Sequence, residues 1–246
     1  GDGSITAPAT IVKIPKKDTQ ESVEAALREL CMFNIKSDMI LELKGGCGMA
    51  DRPQCGLHMA RGHSDLFGFI KDVITKAERE PDFNVAYRTH IDDARLQLFV
   101  TQLIKAVTFL HEQEIYHLDL KPENVIINER GDFLQLIDFG FAHCDHWLVL
   151  RPVGVKKAGD CIGSLSNPTN RYFGSPSYVP EQALACHPDF IRSRDQWALG
   201  CMLYVCAYGR MLYLTPTDPE YDRVITKRPE APFSAVFGIP PRPVVE

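Results

Sequence analysis

The strongest constraint on this chain is the stretch YHLDLKPENVIINERGDFLQLIDFGFAH, residues 116–143. Asp138 lies fourteen positions after Asn124 (138 minus 124), and the interval reads as VIIN, a turn at ERGD, and LQLID. Two apolar runs around a Gly-Asp turn make a short hairpin, which returns its two ends to the same edge. Asn124 and Asp138 are therefore neighbours. Asp119 stands two positions before Lys121 and five before Asn124, on a loop that follows a helical pattern. An acid that accepts a hydroxyl proton, a cation, and two oxygen donors suited to a hard ion such as magnesium form the set that phosphoryl transfer needs. Gly140 permits the sharp turn that presents Asp138. Each piece alone is common in unrelated proteins; order and spacing carry the reading.

Upstream, ATIVKIPKK from residue 9 is a β-branched run stopped by proline and predicts a strand. DTQESVEAALRELCMF predicts a helix starting at Asp18 or Thr19, with Val23, Ala26, Leu27, Leu30 and Phe33 on one buried face. DMILEL and CGLHMA read as two strands joined by KGGCGMADRPQ, with GGCG at 45–48 as a hairpin turn. From Ser64 the pattern turns helical. SDLFGFIKDVITKAE gives a short helix, and a long one runs from Asp92 to about Glu112, where Leu96, Val100, Leu103, Val107 and Leu110 form a stripe. RSRDQWALGCMLYVCAYG is apolar almost all round after Asp195, which marks a helix buried inside a lobe. The expected architecture is one α+β domain in two lobes, a reduced strand-rich lobe at 1–62 and a mainly helical one at 63–246.

Composition narrows the ligand class. With 246 residues, 45 % of them apolar, the chain can bury a sizeable core, and a net charge of -5 argues against nucleic acid as the principal ligand. No stretch reaches the roughly 18–20 apolar residues of a membrane helix, and the first residues carry no signal-peptide pattern. The eight cysteines include no C-x-x-C pair and no zinc-site spacing. Cys201 and Cys206 read as small core residues, whereas Cys47 and Cys55 flank a polar turn and could bridge in an exported protein.

Taken together the motifs resemble those of eukaryotic protein kinases, over about residues 9–214. GSPSYVPEQ at 174–182 is similar to the end of a kinase activation segment, and DQWALG at 195–200 to the opening of the buried central helix. The resemblance implies a bilobal fold using ATP and Mg2+, with Asp119 as catalytic base, Lys121 near the moving phosphoryl group, Asn124 and Asp138 as magnesium ligands, and Glu181 and Asp195 as structural anchors. It also makes Lys13 in TIVKI the phosphate-binding lysine, Glu29 its partner with Glu24 as the alternative, His58 the gatekeeper, and Met59 to Arg61 the hinge. Lys121 in LKPEN resembles serine/threonine kinases, so the implied partners are protein substrates or binding partners. A small-molecule phosphotransferase shares the H-x-D but not the two downstream motifs.

One element of the pattern has no room. Twelve residues precede Lys13, whereas two strands and a G-x-G-x-x-G turn take on the order of twenty-five. Either the chain is cut short of its first two strands or it belongs to a branch without them. The reading favours the branch, resembling the with-no-Gly-loop kinases that apicomplexan parasites such as Toxoplasma secrete into the parasitophorous vacuole, a group that includes pseudokinases. An atypical serine/threonine kinase is the expectation; a weak or inactive pseudokinase acting as a scaffold is the alternative. Leu118 replaces the arginine of H-R-D, so activity is expected not to depend on phosphorylation between Phe141 and Val179.

Overall fold

The structure, a computed structural model, describes residues 10–13, 20–32, 35–48, 55–77, 91–144, 174–179, 191–209 and 211–212. The N-terminal part holds a three-stranded antiparallel sheet, β1 (Thr10–Lys13), β2 (Leu43–Gly48) and β3 (Cys55–Ala60), in the order β1-β3-β2. Helix α1 (Gln20–Cys31) connects the first two strands in sequence, and its described buried positions, Ala26 and Glu29, line up with Met32 at three-residue steps. The side chains of Val23, Glu24 and Leu27, and all of Phe33, lie outside the described residues.

The sequence expectation for residues 38–48 needs correction. The run DMILEL enters a strand only at its last residue, Leu43, and GGCG is not a turn: Gly45, Gly46, Cys47 and Gly48 pair with His58, Leu57, Gly56 and Cys55, with a register irregularity between Leu43 and Gly45. The residues before Leu43 instead dock alongside Leu136. Leu136 N donates to Met39 O (2.9 Å), Leu41 N to Leu136 O (3.0 Å), and Ile40 and Leu43 are buried. An alternating apolar run fits a strand or a docked connection equally well, and the free edge at Leu136 decides between them.

Beyond Ala60 the chain enters a second sheet. β4 (Ser64–Asp65) pairs with β6 (Val125–Ile127), and β6 with β7 (Leu134–Leu136). Asp65 Oδ1 accepts from Gly68 N at 2.7 Å and so caps α2 (Leu66–Ala77). Helix α3 (Asp93–Glu112) begins at the Asp92 cap, whose side chain accepts from Arg95 N at 2.8 Å, and its stripe of Leu96, Phe99, Val100, Leu103, Val107 and Leu110 is buried. The stripe packs with α4 (Ile191–Tyr208) in one apolar core, where burial pushes the thiols of Cys201 and Cys206 up to about 12. β5 (Ile115–Tyr116) pairs with β8 (His143–Cys144) and brackets the loop that carries Asp119. Among the described residues no helix is long and apolar enough to cross a membrane.

Candidate active site

The hairpin anticipated between Asn124 and Asp138 closes as β6 and β7. Asn128 Oδ1 accepts from Asp132 N (3.0 Å) and Phe133 N (3.1 Å), and Gly131 turns the chain at φ 70°. At the open end Ile137 N donates to Asn124 O at 3.0 Å, which sets Asn124 beside Asp138.

The loop before it is pinned from below by Asp195 of α4, which is 1 % exposed. Its carboxylate accepts from His117 N (2.7 Å) and Leu118 N (2.8 Å), and His111 Nε2 lies 3.0 Å away. Those bonds hold Leu118 at φ 63°, a left-handed conformation costing a non-glycine residue about 1–2 kcal/mol. His117 Nε2 faces Ile137 O at 2.9 Å and so donates, while Nδ1 accepts from Asp119 N at 3.3 Å. The ring is thus a neutral tautomer tying the two halves of the site together.

Asp119 is 6 % exposed and fully engaged. Oδ1 accepts from Ser175 N (3.0 Å) and Oγ (3.1 Å), while Oδ2 accepts from Asn124 Nδ2 (3.0 Å) and pairs with Lys121 Nζ (2.9 Å). Lys121 Nζ also donates to Ser175 Oγ at 2.9 Å. A serine hydroxyl thus sits between the candidate base and the candidate cation.

The second cluster joins β1 and α1 to the end of the β6–β7 hairpin. Lys13 Nζ pairs with Glu29 Oε1 from α1 and with Asp138 Oδ1 at 2.8 Å. Burial works against the Lys13 ammonium, but the carboxylates of Glu29 and Asp138 outweigh it and hold its pKa above the usual value. Burial drives Glu29 up to about 7 against the pull of Lys13, with Asp138 adding to the rise. Asp138 goes the other way: burial opposes its charge, yet Lys13 holds its pKa below the usual carboxylate value. Gly140 is where α1 comes closest, since a Cβ there would stand 3.3 Å from Ala25 Cβ and 3.4 Å from Glu29 Oε1. Arg28 Nη1 adds a bond to Gly140 O at 3.1 Å.

Asn124 commits its amide nitrogen to Asp119 O (2.8 Å) and Oδ2, which leaves its amide oxygen as a metal donor beside the carboxylate of Asp138. Two hard oxygens fit magnesium, which takes one or two protein ligands and completes its shell with phosphate and water oxygens. Among the described residues no group of three His, Cys, Asp or Glu could hold a metal by itself.

The remaining sequence candidates fall as follows. Met59 lines a cavity with Met32, Ile40, Leu43, Asp138 and Phe139. His58 and Met59 are both paired strand residues, opposite Val12 and Ile11. Arg61 is exposed just past the end of β3, and the side chain of His58 lies outside the described residues, as does Glu181. Cys47 and Cys55 stand one register step apart in β2 and β3, with side chains outside the described set. Sequence reasoning missed Ser175, Arg28 and His117 as site residues. Ser175 was visible in GSPSYVPEQ, but as part of a closing motif rather than as a partner of Asp119.

With this geometry in place, comparison with known proteins is direct. The family described as Protein kinase domain matches residues 4–235. The Serine/threonine-protein kinase dkf-2 of Caenorhabditis briggsae is 34 % identical over 121 residues, 48 % of this chain and 9 % of that protein. Cyclin-dependent kinase-like 5 of Homo sapiens is 29 % identical over 222 residues, 88 % of this chain and 19 % of that protein. Serine/threonine-protein kinase Sgk1 of Danio rerio is 27 % identical over 173 residues, 70 % of this chain and 35 % of that protein. The chain therefore spans at most 35 % of the length of these relatives. The family match runs through Lys13, Glu29, Asp119, Asn124 and Asp138, the side chains that gather in the two clusters, and the chain belongs to the protein kinase domain family.

Proposed function

We propose that this chain transfers the γ-phosphoryl group of ATP to serine or threonine hydroxyls of proteins, with magnesium. The observation that carries the reading is the 2.8 Å pair between Lys13 and Asp138, 125 positions apart, which sets a phosphate-binding cation against a metal-binding carboxylate. Lys13 binds phosphate oxygens of the nucleotide, and Glu29 orients Lys13. Asn124 and Asp138 hold magnesium, which neutralises phosphate charge. Asp119 takes the proton of the incoming hydroxyl as its oxygen bonds to the γ-phosphorus and the bridging bond to ADP breaks. Lys121 offsets the negative charge of the group in transit. The position of Ser175 Oγ, 3.1 Å from Asp119 Oδ1 and 2.9 Å from Lys121 Nζ, supports a hydroxyl acceptor there. Met59, rather than His58, is the residue of β3 assigned to the back of the nucleotide pocket.

The glycines of β2 are paired against β3, and among the described residues the outer edge of β1 has no strand beside it, with Ile11 43 % exposed. The resemblance to the secreted parasite group makes the chain an exported effector in this reading. The test is purified protein with γ-labelled Mg-ATP and a protein acceptor. Label on Ser or Thr that vanishes in Asp138→Ala supports transfer; no label and no rise in Tm with Mg-ATP would make the chain a pseudokinase scaffold.

A further inference from the structure

Leu118, 4 % exposed, is apolar at the position where the resembling kinases carry an arginine, directly before Asp119. A buried guanidinium lies close by on another element. Arg194 of α4 is 8 % exposed and precedes Asp195, whose carboxylate fixes His117 N and Leu118 N. Arg194 and Leu118 line one small cavity with Asp119, Ser175, Tyr178 and Val179. They converge on Gly174, at φ 93°: a Cβ there would lie 2.8 Å from Leu118 O, 3.2 Å from Val179 Cγ2 and 3.5 Å from Arg194 Nη2. Desolvating a guanidinium is costly, and an apolar side chain would fill such a space at less cost if packing were all that was required. What an arginine adds is a rigid fork of donors and a fixed positive charge.

We propose that Arg194 is a positioning residue that supplies, from α4, the guanidinium absent at position 118, and that it holds the 174–179 turn against the catalytic loop so that Ser175 stays on Asp119. The role in turnover rests on the kinase reading; the coupling between positions 118 and 194 does not. Leu118 and Arg194 form two walls of one cavity, so a guanidinium placed on either wall should serve the same turn.

The experiment compares Arg194→Val, Leu118→Arg and the double variant in the full chain, by Tm and by steady-state kinetics. Arg194→Val is expected to lower kcat about tenfold with KM for Mg-ATP within about twofold, because Asp119 loses its set position while the nucleotide cluster is untouched. Leu118→Arg alone should also lose activity, since two guanidinium groups then share one poorly solvated cavity. The double variant should return to within about threefold of wild type and melt above both single variants. Arg194→Val within about twofold of wild type would overturn the proposal, as would a double variant no better than the worse single one. If Arg194→Val does not fold, restored folding in the double variant supports the exchange and continued misfolding overturns it. If wild type itself transfers no phosphate, the kinase reading fails and the melting cycle decides: a double variant above both singles supports the coupling, and additive losses overturn it.

Discussion

The cluster around Asp119 and the cluster around Lys13 serve one cleft but are built in opposite ways. Asp119 is 6 % exposed, and two of its side-chain partners, Lys121 and Asn124, come from the next five residues. Lys13 is 41 % and Asp138 38 % exposed, and the contacts of Lys13 span 16 and 125 positions. The first cluster is built on one loop clamped by Asp195, with Ser175 reaching in from the 174–179 turn. The second exists only while β1, α1 and the β6–β7 hairpin stand together. Partly solvated ion pairs are worth little individually, so the second cluster is the one that a proton, a ligand or a neighbouring contact can open.

The sharpest way to break the comparison is to remove one carboxylate from each cluster. Asp119→Asn should lower kcat by about 10²- to 10⁴-fold with KM for Mg-ATP little changed, because only the proton acceptor is lost. Asp138→Ala should cost at least about 10³-fold and also raise KM, because a metal ligand and a partner of Lys13 go together. Equal effects on KM would show that the two clusters are not separate in function.

Next in size is Glu29, the group whose charge burial opposes. Its pKa in the fold, about 7, lies above that of a free glutamate, so its favourable contribution to stability is present at low pH and lost as pH rises through about 7. Glu29→Gln should therefore melt above wild type at pH 8 and converge with it near pH 5. Activity runs the other way. At pH 8 the variant should turn over about tenfold more slowly, having lost the partner of Lys13, and by pH 6 the gap should narrow because wild type takes up the proton itself. Lys13, raised, and Asp138, lowered, titrate outside this window. Tm and kcat/KM between pH 5 and 8 check both signs; parallel curves for the two proteins would remove Glu29 from the account.

The same contrast explains what the sequence made legible. The Asn124–Asp138 hairpin could be read residue by residue, since alternation and a Gly131 turn are local signals. The pairing of Lys13 with Glu29 came only from resemblance, because no local rule joins a strand to a helix 16 positions on and a hairpin 125 positions on. The run before β2 misled because Ile40 is buried, as a strand residue would be, yet Leu136 takes the backbone bonds of Met39 and Leu41. Arg194 had no readable signal at all: its meaning depends on Leu118, 76 positions earlier (194 minus 118), and on the turn at Gly174.

A smaller effect is expected where α1 touches the hairpin end. Arg28 Nη1 donates to Gly140 O at 3.1 Å, a second point of attachment beside the Glu29 pair. Arg28→Ala should lower kcat/KM about three- to tenfold, in line with one charge-assisted hydrogen bond, and Arg28→Lys should recover part of it. No recovery in the lysine variant would reassign Arg28 from an electrostatic contact to packing.

The smallest effect tests whether the Asp119 cluster is complete as built. A phosphate brings nearly two negative charges and orders a segment only where a guanidinium is free to meet it. Position 118 offers a buried leucine, and Arg194, at 8 % exposure, lies beneath the 174–179 turn rather than open to an incoming group. Ser175 already bonds Asp119 without any added charge. Replacing Ser164, Ser166 and Thr169 together by alanine should therefore leave turnover within about twofold of wild type, whether or not the protein has been treated with a phosphatase. A tenfold loss would mean that the loop around Asp119 is also assembled from a distance, and the division between the two clusters would disappear.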